Sequence, residues 1–389
     1  MKIGIDKIGF AMPEYYLDIC DLAVARGVEP DKFTKGLLQL EMSIPPASQD
    51  IVTLGAQAAY EILDKDDLEK IDMIIVGTES GVDQSKAAAV FIHNLLDMNP
   101  FVRAIEVKEA CYGATAGLDF AKNHVLNNPD SKVLVIASDI AKYGKNSSGE
   151  STQGAGSCAM LVAKNPRVLE LNNDNICQTR DVMDFWRPNY SNYAFVEGKF
   201  STEQYLDCLM TTWGEYEKRA KVSLEDFSAV CLHLPYPKLG LKGLNALLEN
   251  KEDTDLKERL LTRFDESMLY SQRVGNIYTG SLFLGLLSLI ENSTELNAGD
   301  KIVLYSYGSG AVAEIFSMTL VEGYRDHLRN NRFDDFNRRK QITVEQYEEM
   351  FFRCTLPDKD GNLDISDIKD DSMFVLEKIE NHKRIYKRQ

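Results

Sequence analysis

The stretch Phe101–Leu118 reads FVRAIEVKEACYGATAGL and carries the signals of a strand, a turn and a helix in that order. Apolar residues mixed with polar ones up to Val107 are typical of a strand, and the polar pair after them is typical of a turn. The small residues that follow Cys111 predict a helix. The stretch therefore predicts a layered α/β fold in which a strand delivers Cys111 to the start of a helix.

Cys111 is a candidate nucleophile because of this position. Unpaired backbone N–H groups and the positive end of a helix dipole would stabilise a thiolate there, and they could donate to the oxygen of an acyl group on the sulfur. A cysteine chosen at random is more often a small buried thiol. The small residues from Gly113 to Gly117 allow a tightly packed helix start and favour the functional interpretation.

Length and composition predict a folded protein with two core-bearing halves. The chain has 389 residues, of which 44% are hydrophobic and 27% charged. A net charge of −16 argues against a nucleic-acid partner, although a local lysine cluster could still bind a phosphate. The first ten residues lack the apolar core of a signal peptide, and no run is long enough to span a membrane. We therefore expect a cytoplasmic protein with no membrane partner.

The cysteine pattern indicates reduced thiols. Seven cysteines stand at positions 20, 111, 158, 177, 208, 231 and 354, which is an odd number with no CxxC pair. Such a scattered set predicts neither a disulfide framework nor a zinc site, so we expect no metal.

Strands and helices alternate up to about residue 170, and the alternation returns after about residue 222. We interpret residues 171–222, with the aromatic pair Phe185-Trp186 and an amphipathic helix, as an insertion over the active-site face. A surface excursion without ligand contacts is the alternative. We divide the chain into an N-terminal half, 1–170, and a C-terminal half, 171–389, which ends in a polar segment.

Two residues at strand ends are candidates for catalysis. Glu79 follows the buried strand Ile71–Val76, and the C-terminal ends of such strands are where α/β sheets bind ligands. His233 is the only one of five histidines that ends a buried strand. Each half thus has candidate functional residues at a strand-to-helix junction, with Cys111 in the first half and His233 and Asn276 in the second. An exposed carboxylate and a structural histidine are the plainer alternatives.

Five motifs together resemble the hydroxymethylglutaryl-CoA synthases of the bacterial mevalonate pathway. They are EACYGAT around Cys111, GTES around Glu79, HLPYPKLGLK from His233, GNIYTGS around Asn276 and YGSG around Ser309. The motifs occur in the family's order and cover most of the chain. The resemblance implies a thiolase-like α/β fold, a duplicated αβαβα unit in five layers, and a homodimer.

The resemblance also implies roles for individual residues. Cys111 would be the nucleophile, Glu79 the general acid/base and His233 the group that addresses the second substrate. Further matched positions would contact substrate or CoA, namely Asn276, Ser309, Thr152, Ser201, Lys238 and Lys242, with Glu29 and Pro30 beside the CoA adenine.

Several of these assignments have plainer alternatives. Lys238 and Lys242 lie four residues apart on one helical face, where they could meet CoA phosphates or only solvent. Tyr143 is a candidate for lining the acyl pocket, with core packing as the alternative. The Ser309 backbone N–H could form an oxyanion hole with that of Cys111, and Gly308-Ser309-Gly310 would also suit an ordinary hairpin turn.

In the family reaction, acetyl-CoA, acetoacetyl-CoA and water give 3-hydroxy-3-methylglutaryl-CoA and CoA through an acetyl thioester on Cys111, for isoprenoid biosynthesis and without a separate cofactor. A type III ketoacyl synthase would use the same Cys, His and Asn but would not need Glu79, since it decarboxylates a malonyl thioester. A polyketide β-branching synthase would prefer carrier-protein thioesters. A non-catalytic acyl-CoA-binding protein is a third alternative, against which Cys111, Glu79 and His233 together argue.

Overall fold

The computed structural model describes residues 1–191, 193–353 and 355–389. Numbered along the chain, its strands are β1 (Ile3–Ala11), β2 (Tyr15–Asp18), β3 (Glu41–Ile44), β4 (Ile71–Gly77), β5 (Arg103–Val107), β6 (Lys132–Ala141), β7 (Gly154–Lys164), β8 (Leu169–Leu171), β9 (Ile176–Thr179), β10 (Phe185–Trp186), β11 (Phe195–Val196), β12 (Ala229–Leu232), β13 (Lys301–Gly308), β14 (Val312–Leu320), β15 (Lys340–Gln341), β16 (Leu363–Asp364), β17 (Phe374–Glu380) and β18 (Lys383–Arg388).

Its α-helices are α1 (Ile19–Ala25), α2 (Asp31–Thr34), α3 (Ile51–Ile62), α4 (Lys65–Lys70), α5 (Ala88–Leu95), α6 (Gly113–Asn127), α7 (Gly198–Ala220), α8 (Pro237–Leu248), α9 (Thr254–Met268), α10 (Ser271–Val274), α11 (Ser281–Asn292), α12 (Arg332–Arg338) and α13 (Val344–Phe351).

One mixed sheet of ten strands runs through both halves of the chain. Its order is β12-β13-β14-β8-β1-β7-β6-β4-β5, and β9 also pairs with β14. In the first half β4 and β6 are parallel, α6 precedes β6, and β7 is antiparallel to β6. In the second half β12 and β13 are parallel, α11 precedes β13, and β14 is antiparallel to β13. The same order of elements in both halves agrees with the duplicated fold.

Side-chain alternation along the strands divides the molecule into layers. Ile75 packs with α6 and α11, whereas its neighbour Ile74 packs with α3 and α5 on the other face. In the second half Leu304 packs with the same two central helices, whereas Val303 packs with α7, α8 and α9. The five-layer αβαβα arrangement is therefore confirmed.

Helix α11 lies in the central layer, and its sequence explains why. All ten residues from Ser281 to Ile290 are buried, as expected of a helix that is apolar on every side. Each fully buried leucine in it contributes about 2 kcal/mol to the free energy of unfolding.

The strand of the opening stretch is shorter than its sequence suggests. β5 begins at Arg103, and the side chain of Phe101 is 89% exposed. The Phe101 N–H donates to the Asn99 side chain (2.9 Å), so a local turn precedes the strand. β5 is also the outermost strand of the sheet, so nothing in the described chain extends the ladder there.

The insertion joins the main sheet at one end and carries a helix at the other. β9 pairs with β14, β10 and β11 form a small hairpin, and α7 packs on the second half. Near the predicted boundary at residue 170, β8 pairs with both β1 and β14. The division into halves at that residue stays a prediction.

The polar C-terminal segment folds back on the first half. α13 packs with α1, β2 and β3, and β17 and β18 pack near α3 and α5. Among the helices in the described part of the chain, none has the length and apolar character needed to cross a membrane. The six described cysteines are free thiols, and Cys354 lies outside the described residues.

Candidate active site

A cavity of about 310 Å³ collects residues from both halves of the chain. Seven of the predicted site residues line it, namely Cys111, Tyr143, Thr152, Ser201, His233, Asn276 and Ser309. The insertion contributes further walls through Phe185, Val196 and Tyr205. The insertion is therefore part of this pocket, in contrast to the alternative of a surface excursion.

Cys111 lies in the turn between β5 and α6, two residues before the helix begins. Its sulfhydryl donates to Glu79 Oε1 at 3.2 Å. Burial raises the pKa of the Cys111 thiol well above its ordinary value, and the nearby charge of Glu79 raises it further. The prediction of a thiolate stabilised by the helix start was thus wrong for the resting protein. The sulfur keeps its proton, and Glu79 is the group placed to receive it.

The loop after β4 holds Glu79 against the sulfur, and a second carboxylate holds that loop. Asp139, at the end of β6, accepts hydrogen bonds from Thr78 Oγ1 (2.8 Å), Glu79 N (2.9 Å) and Ser80 N (3.0 Å). Burial raises the pKa of Glu79 to about 8, and the negative charge of Asp139 acts in the same direction. Glu79 is thus poised to exchange protons near neutral pH.

Sequence reasoning missed Asp139. Burial raises its pKa as well, while the hydrogen bonds that it accepts act against the rise. It also accepts from the Thr279 N–H of the second half (3.2 Å), and Thr279 Oγ1 in turn accepts from the Ala114 N–H at the start of α6 (2.8 Å). Its place at the end of a buried strand is the signal that singled out Glu79 and could have found Asp139 too.

The turn between β13 and β14 presses against the Cys111 loop. A Cβ atom on Gly308 would lie 2.6 Å from the Glu109 carbonyl oxygen and 2.7 Å from the Tyr112 Cβ, so only glycine fits there. Buried Asp184, from the insertion, accepts from the Gly310 N–H at 3.0 Å. This packing brings Ser309 into the same cavity as Cys111.

Asp184 also joins the insertion to the sheet. Its Oδ2 accepts from the Tyr307 hydroxyl (2.9 Å) and the Ser201 hydroxyl (3.2 Å). Ser201 therefore holds its place at the start of α7 through a charge-assisted bond. The sequence showed Asp184 beside the aromatic pair of the insertion, but gave no sign of these partners.

His233 follows β12 and is 2% exposed. Its backbone N–H donates to Tyr305 O and its carbonyl accepts from the Tyr205 hydroxyl, both at 2.9 Å. Burial lowers the pKa of the imidazole to about 3, so the ring is neutral at physiological pH. Within the described residues its Nδ1 has no hydrogen-bond partner. A neutral imidazole carries one N–H donor and one acceptor nitrogen, so the ring can bind a ligand oxygen without bringing a charge into the pocket.

Asn276 is held rigidly beside the cavity. Its Oδ1 accepts from the Tyr278 N–H (2.8 Å) and the Ser281 hydroxyl (3.0 Å), and its Nδ2 donates to the Tyr143 hydroxyl (2.8 Å). The ring of Tyr143 packs edge-on against Phe185 and Tyr278, each at 6.0 Å between centroids. Tyr143 thus lines the pocket and packs in its wall, so both of its predicted roles are compatible.

Five predicted residues lie outside the cavity lining: Glu79, which contacts Cys111, and Glu29, Pro30, Lys238 and Lys242. The backbone N–H of Lys238 donates to Leu37 O (3.1 Å), and Leu37 lines the cavity. Glu29 and Pro30 precede α2, which leads to Leu37. Neither lysine has a carboxylate within ion-pair distance among the residues that the structure describes.

One group of described side chains converges closely enough for a cation. Ligand atoms of Asp64, Asp66 and Asp67 lie within 4.8 Å of one another. Lys7 already pairs with Asp64 at 2.7 Å and with Asp67 at 2.6 Å, and Lys132 pairs with Asp67 at 2.6 Å. The ammonium groups offset the negative charge of the cluster. The cluster precedes β4 and Glu79 follows it, so the two lie at opposite ends of that strand.

Comparison with known families matches both halves of the chain. The family model described as hydroxymethylglutaryl-coenzyme A synthase N terminal matches residues 1–167. The corresponding C-terminal model matches residues 175–263 and 254–389.

Individual proteins match the whole chain. The hydroxymethylglutaryl-CoA synthase of Enterococcus faecalis is 50% identical over 388 residues, which cover 100% of both chains. A crystal structure of an HMG-CoA synthase complexed with CoA is 57% identical and superposes with a TM-score of 0.98 over 100% of both chains. The polyketide biosynthesis 3-hydroxy-3-methylglutaryl-ACP synthase PksG of Bacillus subtilis is 33% identical over 90% of this chain and 88% of its own.

Proposed function

Because the chain belongs to the hydroxymethylglutaryl-CoA synthase family, a family of enzymes with a thiolase-like fold, we propose that it condenses acetyl-CoA with acetoacetyl-CoA and water. The products are 3-hydroxy-3-methylglutaryl-CoA and CoA, and the step belongs to the mevalonate pathway of isoprenoid biosynthesis. The observation that supports this most is the 3.2 Å hydrogen bond to Glu79 from Cys111, which lines the same pocket as His233.

The first step is transfer of the acetyl group to Cys111. Ionised Glu79 accepts the thiol proton, and the sulfur attacks the acetyl-CoA carbonyl carbon. The backbone N–H groups of Cys111 and Ser309 donate to the oxyanion that forms. CoA then leaves as the thiol with the proton that Glu79 returns, and the acetyl group remains as a thioester.

The second step makes the new carbon–carbon bond. Glu79 removes a proton from the acetyl methyl group, and the enolate attacks the ketone of acetoacetyl-CoA. His233 and Asn276 donate hydrogen bonds to the ketone oxygen. Since the imidazole of His233 is neutral, protonated Glu79 supplies the proton to the new alkoxide. Water then cleaves the Cys111 thioester and releases the product.

The remaining predicted residues bind the substrates. Thr152 and Ser201 line the cavity, where they can contact the acyl or pantetheine part of the substrate. Lys238 and Lys242, on α8, would meet the CoA phosphates, and Glu29 and Pro30 the adenine. Such contacts need no cofactor beyond the two thioesters.

The direct test supplies purified protein with both thioesters. We expect CoA thiol to be released continuously with the pair, and only a burst of about one equivalent with acetyl-CoA alone, because without the second substrate the acetyl group stays on the enzyme. Turnover of a malonyl carrier protein, with none of the CoA pair, would contradict the proposal. A carrier-protein acetyl thioester used in strong preference to acetyl-CoA would identify the β-branching reaction instead.

We also propose a homodimer through the free edge of β5. β5 ends the sheet of the described chain, and an unpaired strand edge beside an exposed Phe101 is suited to pairing with a second copy. Sedimentation should give twice the chain mass, and Phe101→Glu should shift the protein toward the monomer. Tyr190→Glu, at an equally exposed residue of the insertion, is the control that should stay dimeric. A wild-type monomer at assay concentrations would exclude the homodimer.

We also propose a cytoplasmic location, because of the proposed substrates and the reduced cysteines. CoA thioesters are made and used in the cytoplasm, and the six described cysteines are free. Cell fractionation that recovers the protein with the membranes would contradict it.

A further inference from the structure

The loop between β6 and β7, residues 142–153, forms one side of the cavity and is held from outside the pocket. Four of its residues line the cavity, namely Tyr143, Ser148, Gly149 and Thr152. A loop of this length with little regular structure keeps its shape only where other groups satisfy its backbone.

Gln153 fastens the beginning of the loop. It is fully buried, and its Oε1 accepts from the Tyr143 N–H (2.8 Å) and the Gly144 N–H (3.3 Å). Its Nε2 donates to the hydroxyl of Tyr347 at 2.7 Å. The orientation of the amide, and with it the backbone of Tyr143, therefore depends on a hydroxyl from α13.

Glu150 fastens the end of the loop to the same hydroxyl. Tyr347 donates to Glu150 Oε1 (3.1 Å), and Glu150 also accepts from the Asn146 N–H (2.8 Å) and pairs with Arg26 (2.7 Å). The Tyr347 oxygen thus accepts from Gln153 and donates to Glu150, so both ends of the loop meet at one buried atom.

We propose that Tyr347 is a positioning residue for the condensation step, an inference that rests on the proposed function. Its hydroxyl fixes Gln153, Gln153 fixes the backbone of Tyr143, and the Tyr143 hydroxyl accepts the 2.8 Å bond from Asn276 Nδ2. Helix α13 of the C-terminal segment thereby positions the Tyr143 hydroxyl, the partner on the Nδ2 side of the amide that faces the ketone of the second substrate.

The test separates the two chemical steps in Tyr347→Phe, which removes a single oxygen. Acetylation of Cys111 by acetyl-CoA alone should stay within about twofold of wild type, because Cys111 and Glu79 are not held by this loop. The kcat of condensation should fall about tenfold, because the Tyr143 hydroxyl that accepts from Asn276 Nδ2 loses its fixed position in the pocket wall.

Tyr324→Phe is the matched control. Tyr324 is equally buried, and its hydroxyl donates to Leu296 O (3.1 Å) away from the cavity. The control should lose thermal stability to a similar extent as Tyr347→Phe and keep both rates. Equal slowing of condensation in the control, or wild-type condensation in Tyr347→Phe, would overturn the proposal.

Gln153→Met breaks the same link from the loop side and serves if Tyr347→Phe folds poorly. It should slow condensation to the same extent, and the double variant should be no slower than either single one, because all three break one connection. Additive losses would overturn the proposal. Failure of the wild-type protein to condense the two thioesters would instead contradict the proposed function, so the two failures are distinguishable.

Discussion

Cys111→Ser is expected to abolish condensation and to leave no acetyl group on the protein. The serine hydroxyl occupies the same turn beside Glu79, but it is far more weakly acidic than a thiol, and its surroundings already disfavour the charged form of the thiol. We expect turnover to fall by about 10⁴ or more, as for the loss of a nucleophile in other covalent enzymes. Mass spectrometry after incubation with acetyl-CoA measures the adduct directly.

Cys20→Ser provides the matched control for that variant. Cys20 is a half-buried free thiol on α1 that does not line the cavity. Its replacement should leave the acetyl adduct and the turnover of wild type. An adduct that persists in Cys111→Ser, or one that vanishes in Cys20→Ser, would remove Cys111 from its role.

The strands and helices that carry the site could be predicted because their signals are local. The apolar run of β4, the small residues after Cys111 and the apolar sequence of α11 each reflect the burial of that segment alone. The first residue of the edge strand β5 was predicted less well. It depends on a turn at Asn99 and on the lack of a further partner strand in the described sheet.

The electrostatics of the site could not be predicted in the same way. A helix start next to Cys111 predicts a lowered thiol pKa, yet the residues that surround the sulfur come from distant segments. Burial and the charges of Glu79, Asp139 and Asp184 raise that pKa instead. These carboxylates are brought together only by the folded sheet and the insertion.

The positioning residues could not be predicted from the sequence for a related reason. Asp139 and Tyr347 belong to no motif with chemistry of its own, and their roles consist of bonds to residues far along the chain. Nothing in the local pattern of a buried tyrosine on a short amphipathic helix predicts a bond to a loop almost two hundred residues earlier.

Glu79→Gln should separate acetylation from condensation. The amide has the shape of the carboxyl group but cannot accept a proton, so enolisation of the acetyl thioester loses its base. We expect condensation to fall by about 10³ or more. The acetyl adduct on Cys111 should form more slowly than in wild type, because the thiol loses its proton acceptor. It should still form, because a thiol proton is far more acidic than the carbon-bound proton that condensation must remove. Normal turnover in this variant would exclude Glu79 as the base.

Glu106→Gln controls for the loss of a carboxylate near the site. Glu106 is a half-buried residue of β5 whose carboxylate accepts from the Ala88 N–H (2.7 Å). An amide oxygen can accept the same bond, so this variant should keep wild-type turnover. A comparable loss in Glu106→Gln would mean that condensation responds to local charge in general and not to a base at Glu79.

The pH dependence supplies a readout that a folding defect would not reproduce. The pKa of Glu79 is raised from 4.5 to about 8 in the folded protein, so the basic form is scarce below pH 8 and predominates above it. Condensation by wild type should therefore rise with pH and level off above about 8, and Glu79→Gln should lack this rise. Between the two pKa values the folded protein retains a proton that the unfolded chain has released, so raising the pH lowers the free energy of unfolding through this group. Glutamine has no such proton to lose, so the variant escapes this loss of stability. Glu79→Gln should therefore unfold at a higher temperature than wild type at pH 8, although it does not condense the two substrates. An inactive variant that is also less stable at that pH would point to a structural role for Glu79 instead.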